Sequence, residues 1–156
     1  MRRDYFNLDV EDVDWVEDDG TPAKPGVTID FEGPGATLEE RFADGEGGLL
    51  DAEQTDVAFR LQNDLDADES TGVVSVTNRI TGDFVLELNQ DAADVLKFIR
   101  AAREYGRASD ADKRYRVHIE RGDNHVVTYE KDTFLVYNTE GDLLRRHSLI
   151  PSGIEI

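Results

Sequence analysis

The sequence predicts an α+β fold: a mainly antiparallel sheet of about seven to nine strands, with a long amphipathic helix near residues 90–105 packed on it and a short helix near 38–43. Three observations predict it. Apolar residues alternate with polar ones in five separate runs, tight-turn sequences join the later runs into hairpins, and a single segment carries a long helical stripe. Consecutive hairpins pair antiparallel, and one long helix among many strands builds a layer rather than alternating parallel units.

In chain order, Phe6, Leu8 and Val10 alternate with Asn7 and Asp9, and Val27, Ile29 and Phe31 with Thr28 and Asp30, each run presenting one wet face. Thr37 and Glu40 form a capping box that opens the short helix. Val57, Phe59 and Leu61 alternate with Ala58 and Arg60, residues 73–77 add another strand, and Phe84, Leu86 and Leu88 are expected to point inward between Val85 and Glu87. The long helix starts from Asn89 as N-cap, with Asp91 and Asp94 in its first turn, Arg100 and Arg103 in its last, and Gly106 as its stop. Its apolar stripe is Ala92, Val95, Leu96, Phe98, Ile99, Ala102 and Tyr105. Tyr115, Val117 and Ile119 alternate with Arg116 and His118, and residues 126–130, 134–137 and 143–149 supply the remaining strands. Thr81-Gly82, Gly122-Asp123-Asn124 and Thr139-Glu140-Gly141-Asp142 are the turns between them.

The 156 residues read as a single domain, 1–156, with its charge unevenly spread. Thirty-five Asp and Glu face seventeen Lys and Arg, a net charge of −18. The half 1–70 carries five basic and 21 acidic side chains, net −16; the half 71–156 carries 12 and 14, net −2. Spread over a sphere of ~19 Å radius, that charge has a self-energy of about 35 kcal/mol in pure water, against a folding stability of about 5–15 kcal/mol. Molar salt shortens the screening length to about 3 Å and removes most of that repulsion. Scarce Lys, abundant Asp and a preference for Arg fit the same setting, so a halophilic, cytoplasmic protein is expected. The other reading of such a surface is an acidic domain that shields a basic partner. Cysteine is absent, which excludes disulfides, thiolate metal sites and a Cys nucleophile. No run approaches the roughly 18 apolar residues of a membrane span, and no nucleic-acid footprint is expected from so acidic a chain.

No catalytic or cofactor-binding constellation stands out, and each local pattern has an ordinary explanation. Asp64, Asp66 and Asp68 alternate as in the first half of a calcium loop, but Glu69 stands where the tight turn wants Gly and Ser75 where a bidentate Glu should close the cage. A solvated acidic loop holding loosely bound K or Na is expected there, with no integral metal. Gly33-Pro34-Gly35 precedes a short helix, but Pro34 removes a donor and Glu39 and Glu40 would repel phosphate, so it reads as a turn. His118, His125 and His147 do not have the spacing of a zinc site. The remaining feature is cationic. Arg100, Arg103 and Arg107 lie on one helix flank, Arg114 and Arg116 share a strand face with His118, and Arg145-Arg146-His147 form a basic run. Together they are a candidate anion or partner surface, to be weighed against simple pairing with the chain's own carboxylates.

Met1-Arg2-Arg3-Asp4-Tyr5-Phe6, Asp14-Trp15-Val16-Glu17-Asp18, residues 71–89, and residues 129–156 with Leu144-Arg145-Arg146-His147-Ser148-Leu149-Ile150-Pro151-Ser152-Gly153 resemble a small haloarchaeal family classed only as a domain of unknown function. The resemblance spans nearly the whole chain. It implies a salt-loving archaeal cytoplasm and carries no activity, cofactor or site residues. The expectation is therefore a non-catalytic interaction or regulatory module with a protein partner, engaged through the sheet, the arginine face or the apolar tail 149–156. The alternative is a small-ligand-binding protein or enzyme using a pocket lined by Arg, His and Tyr.

Overall fold

The computed structural model describes residues 5–17, 20–33, 37–65, 68–109, 113–122 and 124–150. Among these, eight strands form two four-stranded sheets. The first sheet has the order β1 (Phe6–Glu11), β2 (Gly26–Phe31), β6 (Tyr115–Arg121), β7 (Asn124–Lys131). The second has the order β5 (Phe84–Asp91), β4 (Thr71–Asn78), β3 (Thr55–Leu61), β8 (Leu135–Tyr137). A short helix, α1 (Thr37–Phe42), and a long one, α2 (Ala92–Ser109), complete the α+β fold.

Both sheets are mixed, which corrects the mainly antiparallel expectation. The sequence-local pairs β1–β2, β3–β4, β4–β5 and β6–β7 are antiparallel, but β2 pairs β6 and β3 pairs β8 in parallel. Turn chemistry specifies only the hairpins. The parallel pairings join strands far apart in sequence and are set by which apolar faces must meet.

Those faces meet around α2. Leu8, Val10, Val27, Ile29 and Val117 of the first sheet, Val57 and Val74 of the second, Val95 and Phe98 of α2, and Phe134 surround one small apolar gap. The Phe98 ring stands edge-on to Tyr115 at 5.3 Å and lies 6.2 Å from Phe134. At another margin of the core, Phe42 of α1 packs against Tyr129, whose hydroxyl donates to the Leu50 carbonyl at 2.8 Å. The alternation read for β1, β2, β3 and β6 holds: Phe6, Val27, Ile29, Phe31, Val57, Phe59, Leu61, Tyr115, Val117 and Ile119 are all buried.

Three element boundaries differ from the expectation. Asn89 is a strand residue, and α2 begins directly after β5, where the Ala92 N–H donates to the Ser70 carbonyl. Gly106 lies inside α2 rather than ending it; a Cβ there would sit 2.9 Å from Arg114 Cδ, so its small size lets Arg114 lie across the helix. Residues 143–149 are not a strand. Leu143 bridges Tyr137, Leu149 bridges Phe134, and Arg145–His147 form a single 3-10 turn between them. Ser148 takes over a ladder position there, its hydroxyl accepting the Val136 N–H at 2.8 Å.

A register shift in the second sheet reorients one aromatic side chain. A bulge between Val76 and Thr77 sets Thr77 opposite Phe84, so Val85 and Leu86 are both buried and Phe84 turns outward, 53% exposed. This reverses the inward placement expected of Phe84.

Candidate functional site

The arginines expected to form one surface are divided among several tasks. Arg103 Nη2 donates to the carbonyls of Ser148 (2.8 Å) and Arg146 (3.3 Å), and Arg114 Nη1 donates to that of Ile150 (3.1 Å). Arg114, only 8% exposed, lies against Gly106 rather than on an open face with Arg116. These two side chains fasten the segment 146–150 to α2. Arg107 pairs with Glu104 one turn away at 3.1 Å. Arg100, Arg145 and Arg146 are exposed and His147 is half-buried. Arg103 and the basic 3-10 turn do come together, but Arg116 belongs to the other side of the molecule.

That other side is the outer face of the first sheet, where several of the described polar groups are joined. Arg116 Nε donates to Glu130 Oε1 at 2.7 Å, and Lys24 Nζ pairs with Glu130 Oε2. Partial burial is the largest single influence on the Glu130 carboxyl and pushes its pKa up, but the hydrogen bonds and charges of Lys24 and Arg116 together outweigh it, and the net shift is downward. Thr28 Oγ1 donates to Glu11 Oε1 at 2.5 Å, and Asp30 Oδ1 accepts the Gly122 N–H at 3.1 Å. A bulge between Ile119 and Glu120 sets Glu120 opposite His125 and leaves His118 opposite Thr128. The two histidines are not a cross-strand pair, yet both reach Thr128 Oγ1, His118 Nδ1 at 3.0 Å and His125 Nε2 at 2.6 Å. Among the described residues no group of three or more His, Asp or Glu is placed to hold a metal ion.

The acidic loop gives no cage either. Asp66 lies outside the described residues, and the Asp64 main-chain carbonyl accepts the Ser70 hydroxyl. The hollow beside it, about 690 Å³, is lined by Leu65, Glu69, Ser70, Thr71, Asp91, Ala92, Ala93 and Leu96. At the Gly-rich turn Pro34 and Gly35 lie outside the described residues, and Gly33 has a packing role: a Cβ there would come within 2.5 Å of the Phe31 ring and 2.8 Å of Tyr5. The tail 151–156 and the N-terminal residues 1–4 are likewise outside the described residues.

Sequence patterning misses two features. Lys131 is buried at 5% exposure, its ammonium donating to the carbonyls of Ala52 and Thr55, both at 2.6 Å. Burial first, and Arg79 next, lower its pKa, against the opposing pull of Asp56 and Asp132. It binds β7 to the 3-10 turn Ala52–Gln54 that leads into β3. The second feature is a groove of about 420 Å³ on the outer face of the second sheet, lined by Arg60, Leu61, Gln62, Val73, Ser75, Phe84, Glu87 and Thr139.

Register explains the convergence. Arg60 stands opposite Val73 and Ser75 opposite Glu87, so β3, β4 and β5 contribute neighbouring outward side chains, and the β4–β5 bulge adds Phe84. Arg60 Nη2 donates to the Thr139 carbonyl at 3.2 Å, which steadies the guanidinium at the rim. Gln62 Oε1 accepts the Thr71 hydroxyl at 3.2 Å, leaving its amide N–H₂ as the other pole. Ser75, 8% exposed, adds its hydroxyl to the lining. The signals for this site were Ser75 amid the valines of β4 and the adjacent apolar pair Val85-Leu86, which only a bulge lets face inward together.

The molecule is thus an α+β protein of two mixed sheets with a polar groove on one of them. Over its whole length, residues 1–156, the chain matches the model of a family of unknown function (DUF5793), and it belongs to that family. No curated protein and no solved structure matches it. No helix among the described residues is long and apolar enough to cross a membrane.

Proposed function

We propose that this protein is a non-catalytic interaction or regulatory module of a salt-loving archaeal cytoplasm, and that it engages a protein partner through the outer face of its second sheet. The observation that carries the choice of face is the ring of Phe84, turned outward by the β4–β5 bulge at the edge of a groove. Arg103, Arg107, Arg114 and Arg116 have bonds within the chain, while Phe84, 53% exposed, lines a groove with Arg60, Gln62 and Ser75. An aromatic ring standing half-exposed in a groove is the kind of side chain that anchors protein interfaces. The arginine flank is assigned to folding. The test is capture from a lysate in about 2 M KCl, where screening suppresses adventitious charge pairing. Wild type should retain one specific protein that Phe84→Ser loses; retention by Phe84→Ser of everything wild type retains would contradict the choice of face.

The salt-loving part of the reading rests on the −18 charge and has its own test. The melting temperature should fall steeply as salt is reduced from about 2 M to about 0.05 M, as the screening length grows. An unchanged melting temperature would leave only the acidic-shield reading. A second functional reading, binding of a small ligand, is favoured by the groove itself, whose about 420 Å³ lies within the range of small-molecule sites, roughly 300–1,000 Å³. The expected Arg, His and Tyr lining is replaced by Arg60 with Gln62, Ser75 and Glu87.

A further inference from the structure

We infer that the outer face of the second sheet receives an amphipathic α-helix of its partner, an inference that rests on reading this face as the partner surface. Strand register fixes the shape of the face. Along β4 the outward residues are Val73, Ser75 and Thr77, and Ala58 of β3 stands beside Ser75. These small side chains form the floor. Phe84 on β5, opposite Thr77, rises at one side, and Leu135 and Tyr137 of β8, level with Ala58 and Arg60, rise at the other. The strands β5 and β8 are three spacings apart, ~14 Å, and a helix with its side chains is about 10–12 Å thick. The trough is long as well as wide. From Phe84 to Arg60 is two spacings across and four residues along, ~17 Å on the diagonal, which about three helical turns span.

Main-chain chemistry selects a helix over a strand. On the far side of β8 the ladder is already taken, since the Val136 N–H donates to the Ser148 hydroxyl and the Val136 carbonyl accepts the Leu144 N–H, both at 2.8 Å. At the β5 edge the Phe84 carbonyl accepts Arg41 Nη1 at 3.2 Å. An extended segment laid on the face itself would turn its amides toward Val73, Ala58 and Leu135, which cannot pair them. A helix satisfies its own main chain and needs only side-chain contact. Charge fits the same partner. Asp56 is tied to Arg79 at 2.6 Å, and Arg60 and Glu87 carry opposite signs, so these four groups sum to zero in a chain of net −18. The first sheet's outer face instead adds Asp9, Glu11 and Asp30 to the Lys24–Glu130–Arg116 group. An apolar helical stripe therefore meets a neutral floor on the second sheet, with the half-exposed Phe84 ring as its anchor.

The experiment is an NMR titration of the whole protein in about 2 M KCl with three synthetic peptides of about 18 residues, built from Leu, Ala, Gln, Glu and Lys with equal numbers of Glu and Lys. The first has leucines at i, i+4, i+7 and i+11, one helical face. The second has the same composition with leucines at alternate positions, one strand face. The third is the first with a central proline, which breaks the helix. The first peptide should give saturable shifts at residues 58–60, 73–77, 84 and 135–137, with the other two weaker by about tenfold or more. Phe84→Ser should weaken it by about tenfold, and Ala58→Glu, which sets a charge on the floor, by more, while both variants keep the wild-type spectrum elsewhere. Equal binding of the first two peptides, shifts that map elsewhere, or no saturation up to about 1 mM would each overturn the inference. If the helical peptide fails while Phe84→Ser still loses its partner in the capture experiment, the helix assignment fails and the choice of face stands. If both fail, neither stands.

Discussion

The outer faces of the two sheets differ in what they present to solvent. On the first sheet Glu11 and Thr28, Arg116, Glu130 and Lys24, His118, Thr128 and His125, and Asp30 with the 122 main chain are linked across strands. On the second, Arg60 and Gln62 are anchored only at one pole, and Phe84 is turned to solvent by a bulge. Cross-strand links of this kind give a largely self-paired, hydrated surface. An exposed ring gains from being covered by a partner, because its apolar surface leaves water. Density of charge is therefore a poor guide to function in this chain, and the outward turn of an aromatic ring is a better one.

Variants can break this contrast, in descending order of effect. The largest loss should come from neither face but from the seam between them. Lys131→Ala removes the ammonium that serves the carbonyls of Ala52 and Thr55, and leaving buried acceptors unpaired should lower stability by about 2–4 kcal/mol in chemical denaturation. Its effect on groove binding should be nil; a destabilisation under about 1 kcal/mol would show that water replaces the ammonium. Next, Arg103→Gln releases the carbonyls of Arg146 and Ser148 and should lose about 1–2 kcal/mol, more than the exposed Arg145→Gln or Arg146→Gln, expected within about 0.5 kcal/mol.

Breaking the first-sheet network should cost less and show in its pH dependence. Glu130 has its pKa lowered in the folded protein, so its contribution is present above the unfolded value of 4.5 and is lost as pH falls through the lower folded value. Glu130→Gln should therefore flatten the acid limb of the stability curve below about pH 4.5 and change stability at neutral pH by about 1 kcal/mol or less, as for exposed pairs. An acid limb identical to wild type would show that the Lys24–Glu130–Arg116 group is electrostatically idle. The smallest stability effect belongs to the second face, where Phe84→Ser should stay within about 0.5 kcal/mol because its ring packs on water rather than core.

The sequence discloses those determinants that are local. The alternation of Val57, Phe59 and Leu61 or of Tyr115, Val117 and Ile119 is a two-residue pattern and survives folding unchanged. The stripe of α2 was legible for the same reason, since Val95, Phe98, Ile99 and Ala102 are all buried. The parallel pairs β2–β6 and β3–β8 were not, because no turn connects them. Nor was the groove, because Arg60, Ser75, Glu87 and Phe84 come from three strands and a bulge shifts the last of them to the outer face. The arginines were conspicuous as a composition, but the partners of Arg103 and Arg114 are carbonyls of residues 146–150, which no charge pattern records.

The most direct test compares two double variants with wild type in the same high-salt capture: Arg60→Gln/Phe84→Ser on the second sheet and Arg145→Gln/Arg146→Gln on the basic turn. Both should melt within about 2–4 °C of wild type, the shift expected of a change near 1 kcal/mol in a chain of this size. The account predicts that the first loses the specific partner and the second keeps it. A folded Arg145→Gln/Arg146→Gln protein that loses the partner, beside an Arg60→Gln/Phe84→Ser protein that keeps it, would contradict the account and make the arginine turn the working face.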